Sequence, residues 1–153
     1  MKVISSVYQL TVFLDNHPNK RSLGFVPTMG ALHEGHASLI KKSLSQNALS
    51  ICSIFVNPAQ FNNKTDFKNY PKSLDKDLKL LKKIGCDIVF TPSKETIYPN
   101  GFPSSVFDFG VLDKVMEGAK RPGHFNGVAM VVSRLFEIIK PQRAYFGEKD
   151  FQQ

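Results

Sequence analysis

A chain of 153 residues is long enough for one domain with a core of its own, and 42% hydrophobic content with interspersed charge fits a folded globular protein. No apolar run approaches the roughly 18 residues of a membrane-spanning helix, and residues 1–6 lack the apolar region of a secretory leader. The net charge of +7 suits anionic ligands, but it comes mainly from scattered lysines such as Lys41, Lys42, Lys79, Lys82 and Lys83, so it argues only weakly for nucleic acid.

Ser5 or Ser6 is placed to cap a first helix running to about residue 16, with Val7, Leu10, Phe13 and Leu14 on its apolar face. The run Leu23-Gly24-Phe25-Val26 reads as a strand. It opens into the turn Pro27-Thr28-Met29-Gly30-Ala31-Leu32-His33-Glu34-Gly35-His36, and a helix follows, ending near Gln46 or Asn47. Residues 49–56 are nearly continuously apolar, as in a buried parallel sheet, until Asn57-Pro58 stops them. A polar loop through Asn62, Asn63 and Asn69-Tyr70-Pro71 leads to a helix over about 74–84. Its Leu74, Leu78, Leu81 and Ile84 recur at helical spacing, and Gly85 ends it.

Residues 87–91 form the next strand, Pro92 and Pro99 bound a turn-rich segment, and residues 106–109 are expected as a further short strand. A helix over 126–139 turns Val128, Val131, Val132, Leu135 and Ile138 inward. Pro141 stops it, and residues 143–146 are the last strand. Alternating strands and helices predict an α/β fold: a Rossmann-like parallel sheet with helices on both faces and ligands beyond the carboxyl ends of the strands. Cys52 and Cys86 sit in apolar surroundings and read as buried free thiols of a reducing cytoplasm.

The turn at residues 27–36 carries the most chemistry. A helix N-terminus offers unpaired N–H groups and the positive end of the helix dipole to a phosphate. Gly30 and Gly35 let a nucleotide approach the backbone, and His33 and His36 share one face of the first helical turn. A zinc half-site is the competing reading of His-x-x-His, but no cysteine or carboxylate cluster nearby completes it. Asn57 to Phe61 follow the second predicted strand and Gly147-Glu148-Lys149-Asp150 the last. By the strand-end rule, all three polar groups converge on one rim.

His33-Glu34-Gly35-His36 resembles the His-x-Gly-His signature of the nucleotidyltransferase superfamily, whose histidines contact ATP phosphates. Residues 27–36, 53–61, Tyr70-Pro71, the block Arg121-Pro122-Gly123-His124-Phe125-Asn126-Gly127-Val128, and residues 146–153 together resemble the pantoate–β-alanine ligase family. The blocks stand in the family's order and cover almost the whole chain. The resemblance implies ATP-dependent ligation of pantoate with β-alanine through a pantoyl adenylate, releasing pyrophosphate and AMP. Two anions meet in the first step, so positioning and charge neutralisation would carry the catalysis.

Carried over by position, His33 and His36 are the ATP-phosphate histidines, with His36 as the acid. Lys149 is a phosphate contact and is grouped with them as catalytic. Met29, Gly30, Ala31, Leu32, Glu34 and Gly35 complete the nucleotide loop. Gly147, Glu148 and Asp150 join the ATP site near the ribose. Gln60, Asn57 and Gln153 are expected to hold pantoate or β-alanine, and Asp77 is a candidate beside Mg²⁺. Arg121 and His124 match a loop near the pocket. The resemblance further implies a homodimer, while the scattered charge and the lack of a long apolar run lead to the expectation of no nucleic-acid or membrane partner.

Family members run to nearly twice this length. Residues 1–153 thus correspond to an N-terminal nucleotide- and pantoate-binding domain, without the later Ser-Ser-Arg-Asn loop and the smaller C-terminal domain. The expectation is a chain that folds and binds pantoate but ligates poorly. A different adenylyltransferase and a nucleotide- or RNA-binding module are the alternatives; pantoate-dependent pyrophosphate exchange separates the first, and steeply salt-dependent binding blind to pantoate marks the second.

Overall fold

Strands buried on both faces need unbroken apolar runs, and two such runs form the centre of the sheet. In the computed structural model, which describes residues 1–104 and 107–150, β2 (Leu23–Thr28) and β3 (Leu49–Ile54) pair in parallel from Leu23 opposite Leu49 to Thr28 opposite Ile54. β4 (Ile88–Phe90) adds to the far side of β3, and β5 (Arg143–Ala144) to the far side of β2. A strand the sequence reading did not foresee, β1 (Lys2–Ile4), closes the order β1-β4-β3-β2-β5. It is short and only Ile4 is buried, so it leaves no periodic trace.

The helices occupy both faces, as expected. Alternation along the strands sends Phe25, Ile51, Ile88 and Phe90 toward α1 (Val7–Asp15) and α7 (His124–Ile139), where Leu10, Leu14, Leu135 and Ile138 meet them. Val26, Cys52 and Val89 point the other way, onto Ile40 of α2 (Glu34–Gln46) and Leu81 of α4 (Leu74–Ile84). Ser6 caps α1 and a left-handed Gly85 ends α4, both at the expected positions. Cys52 and Cys86 are buried and unbridged; burial raises both thiols, Cys86 to about 11.

Three short helices replace expected loop: α3 (Lys64–Asn69), α5 (Lys94–Ile97) and α6 (Met116–Lys120). Asn63 and Ser93 cap the first two through side-chain oxygens, and α3 buries no residue, so neither pattern nor length announces them. The expected strand at 106–109 does not form at Phe107 to Phe109; Val106 lies outside the described residues. Instead the Phe107 N–H donates to Asn126 Oδ1 at 2.9 Å, and Phe109 packs edge-on against Phe125. No helix among the described residues is long and apolar enough to cross a membrane.

Candidate active site

The turn between β2 and α2 is shaped by backbone conformation first. Gly30 and Ala31 are consecutive left-handed residues, with φ of 80° and 51°. A Cβ at Gly30 would stand 2.9 Å from Asp77 Oδ2, so glycine answers both the angle and the crowding. Ala31 stores strain that its surroundings must hold. Asp77, buried on α4, does so: its two carboxylate oxygens accept the Ala31 N–H at 3.0 Å and the Leu32 N–H at 2.8 Å. From inside β2, the Thr28 hydroxyl donates to the Ser53 carbonyl at 2.7 Å and accepts the Gly30 N–H at 3.2 Å.

The two histidines then fix each other. His33 caps α2, its Nδ1 accepting the Gly35 N–H at 3.1 Å, while the His33 N–H donates to His36 Nδ1 at 3.3 Å. A backbone N–H only donates, so both Nδ1 atoms are unprotonated and each neutral ring carries its proton on Nε2. The rings lie 4.2 Å apart between centroids. Burial, His33 and Lys149, in that order, lower His36 below the ordinary imidazole value, against opposing pulls from Asp150 and Asp77. The result is a pair of neutral N–H donors at a helix N-terminus, with Lys149 close enough to be felt.

A cleft of about 650 Å³ gathers these groups with residues from the other strand ends. Its lining includes Met29, Ala31, His33, His36, Asn57, Gln60, Tyr70, Arg121, His124, Lys149 and Asp150. The predicted convergence on the carboxyl edge of the sheet is therefore what the fold produces. Gly30, Leu32, Glu34, Gly35, Gly147 and Glu148 shape the adjoining backbone without lining the cleft. The Asp150 N–H donates to the Gly147 carbonyl at 2.9 Å, which turns that segment toward the histidines. Gln153 lies outside the described residues.

Two expected ligand contacts are otherwise engaged. Asn57 is 1% exposed and its amide is fully used. Nδ2 donates to Gln60 Oε1 at 3.1 Å and to the Gly127 carbonyl at 3.0 Å; Oδ1 accepts the Ala59 N–H at 3.3 Å and the Tyr98 hydroxyl at 3.0 Å. An amide has four hydrogen-bonding positions, so Asn57 orients Gln60 rather than reaching a ligand. Asp77 accepts one turn N–H on each oxygen, which accounts for its burial and leaves a second lone pair on each. No cluster of three or more His, Cys, Asp or Glu fit to hold a metal exists among the described residues.

Gln60 itself is nearly buried and points Nε2 at Met29 Sδ, 3.1 Å away, across the cleft floor. His124, at the start of α7, sets Nδ1 2.9 Å from the Gln60 carbonyl, which can only accept. Its Nδ1 therefore carries a proton, unlike the Nδ1 atoms of His33 and His36. Burial, with Asp77 adding to it, raises the Tyr70 phenol at the cleft mouth.

Sequence reasoning overlooked Gly127 and Tyr98 as working parts. A Cβ at Gly127 would meet the Ala59 carbonyl oxygen and come within 2.7 Å of Gln60 Cα, so only glycine lets α7 back against the Gln60 turn. An isolated glycine on the buried face of an apolar helix was the available signal.

Comparison with known proteins adds the family. The model of the pantoate-beta-alanine ligase family matches residues 2–153. The pantothenate synthetase of Cytophaga hutchinsonii is 54% identical over 98% of this chain and 53% of its own length; that of Bacteroides fragilis is 53% identical over 100% and 54%. Among solved structures, pantothenate synthetase from Thermus thermophilus superposes with a TM-score of 0.90 at 47% identity, over 99% of this chain and 54% of that one. Pantoate-beta-alanine ligase from Francisella tularensis, complexed with beta-gamma ATP and beta-alanine, gives 0.96 at 44%, over 100% and 59%. The chain spans about half the length of the curated relatives it matches. On sequence and structure alike, it belongs to the pantoate–β-alanine ligase family.

Proposed function

We propose that this chain forms the nucleotide- and pantoate-binding domain of an AMP-forming ligase that joins pantoate to β-alanine. One observation carries the reading: a single cleft sets two neutral imidazole N–H donors and Lys149 beside an amide, Gln60, that is held for a small polar ligand. The ATP and β-alanine bound to the Francisella relative support the same substrates here.

In the proposed first step, a pantoate carboxylate oxygen attacks the α-phosphorus of ATP. The bond to the bridging oxygen breaks, and pyrophosphate leaves. His33 and His36 donate through Nε2 to the phosphate oxygens, and Lys149 offsets the charge where two anions are pressed together. In the second, the amine of β-alanine attacks the activated carbonyl, loses a proton, and AMP leaves. Gln60 holds pantoate from the other side, and Asp150 and the backbone at Gly147 face the ribose; a pantoate contact for Gln153 rests on the family resemblance.

The turn takes one lone pair on each Asp77 oxygen, no cluster fit to hold a metal stands among the described residues, and no step is routed through Mg²⁺. A homodimer rests on the family resemblance alone, and a cytoplasmic location on the free buried thiols Cys52 and Cys86. The test is pantoate-dependent exchange of labelled pyrophosphate into ATP. Exchange that requires D-pantoate supports the ligase reading; exchange driven by another acid or by a nucleotide, with no response to pantoate, overturns it.

A further inference from the structure

The amide wall of the cleft continues inward to Tyr98, which lies behind the cleft lining. Asn57 cannot be flipped: its Oδ1 faces the Ala59 N–H, its Nδ2 faces the Gly127 carbonyl, and reversal would set donor against donor and acceptor against acceptor. That orientation passes to Gln60, whose Oε1 is held inward by Asn57 Nδ2 while Nε2 turns toward Met29 and the cleft. Yet the Ala59 N–H stands 3.3 Å from Oδ1, a long bond for a buried acceptor. The shorter contact, at 3.0 Å, is the Tyr98 hydroxyl.

Tyr98 is built to hold that place. It is 5% exposed and packs between Phe55 and Phe102, at ring-centroid distances of 6.3 Å and 5.0 Å. It directly follows α5, and Arg134 Nε on α7 donates to the neighbouring Ile97 carbonyl at 3.1 Å, tying the end of that helix down. Burial raises the phenol to about 12, so it remains a protonated donor throughout the working pH range.

We propose that Tyr98 is a positioning residue for the acid substrate: its hydroxyl secures Asn57 Oδ1, and Asn57 in turn keeps the Gln60 amide aimed as a donor at a substrate carboxylate or hydroxyl oxygen. The proposal rests on the reading of the cleft as a hydroxy-acid site, and it requires no contact between Tyr98 and substrate. Removing the hydroxyl leaves a buried acceptor with one long bond, so the Asn57–Gln60 pair loosens.

The experiment compares Tyr98→Phe with Tyr145→Phe, using side-chain amide signals in ¹⁵N NMR spectra and titrations with D-pantoate and with ATP. Tyr145 is the control because its hydroxyl also joins an amide pair, accepting from Asn47 Nδ2 at 2.7 Å and donating to Gln46 Oε1 at 3.0 Å, outside the cleft. Phenylalanine keeps the ring between Phe55 and Phe102, and the spectrum itself reports the fold.

In Tyr98→Phe the Asn57 and Gln60 amide signals should shift and exchange faster, with pantoate binding weakened about fivefold to thirtyfold and ATP binding within about twofold. Tyr145→Phe should change neither the Gln60 signals nor pantoate binding. Unmoved Gln60 signals in Tyr98→Phe, or equal weakening of both ligands, would overturn the proposal. Should wild-type chain ignore pantoate, the hydroxy-acid reading falls, while the amide signals still decide whether Tyr98 holds Gln60.

Discussion

The histidine turn and the amide wall share one cleft and are made of opposite materials. The turn is compact in sequence and presents backbone geometry: left-handed residues, a helix N-terminus, and two rings whose protons are placed by neighbouring N–H groups. The wall is a side-chain network assembled from Asn57, Gln60, Tyr98 and the Gly127 carbonyl, up to 70 residues apart. A turn of the first kind suits phosphates, which ask for donors and space. A wall of the second kind suits a small asymmetric molecule, because each amide is locked in one orientation.

The comparison breaks most visibly at Asp77, where the local turn depends on a distant residue. Asp77→Ala leaves the Ala31 and Leu32 N–H groups without their carboxylate, and stability should fall by roughly 2–5 kcal/mol in urea melts. A loss under about 1 kcal/mol would mean that the turn supports itself. His36→Ala probes the turn without its scaffold. It should slow pantoate-dependent pyrophosphate release about 10²–10³-fold, the usual cost of one preorganised donor, while loss of its cap on the His33 N–H costs only about 0.5–2 kcal/mol of stability.

Gly127→Ala strikes the wall alone. The added methyl meets the Ala59 carbonyl, so α7 and the Gln60 turn must part, at a cost of about 1–3 kcal/mol. Calorimetry should show weaker pantoate binding and unchanged ATP binding; equal losses would merge the two regions into one unit.

The smallest effect is a pH dependence peculiar to the turn. His36 is lowered in the folded chain, so between its lowered value and the ordinary imidazole value the unfolded chain binds more protons. Stability should therefore rise with pH through that window, and fall as acid is added until the folded ring also protonates. Urea melts across that range should show the slope shrink in His36→Gln.

The same contrast governs what the sequence reveals. The strands over 23–28 and 49–54, the helices over 34–46 and 74–84, and the histidine pair are all written in contiguous residues, by apolar runs, helical spacing and glycine punctuation. Asn57 and Asp77 drew notice as polar residues near a site, but their roles depend on which atoms lie opposite them, which no local pattern encodes. Tyr98 reads as one more aromatic in a turn-rich stretch until Asn57 is placed against it. β1 and the helices at 64–69 and 94–97 were too short to leave a period. Their formation follows from the sheet edge and the capping side chains.

The most direct measurement is a calorimetric titration of this chain with D-pantoate, with a similar hydroxy acid as control and Gln60→Ala beside the wild type. The expected result is saturable binding of pantoate, preference over the control, and loss of both in Gln60→Ala while ATP still binds. Pantoate binding that is absent, or that survives unchanged in Gln60→Ala, would contradict a cleft with a phosphate turn on one side and a hydroxy-acid wall on the other.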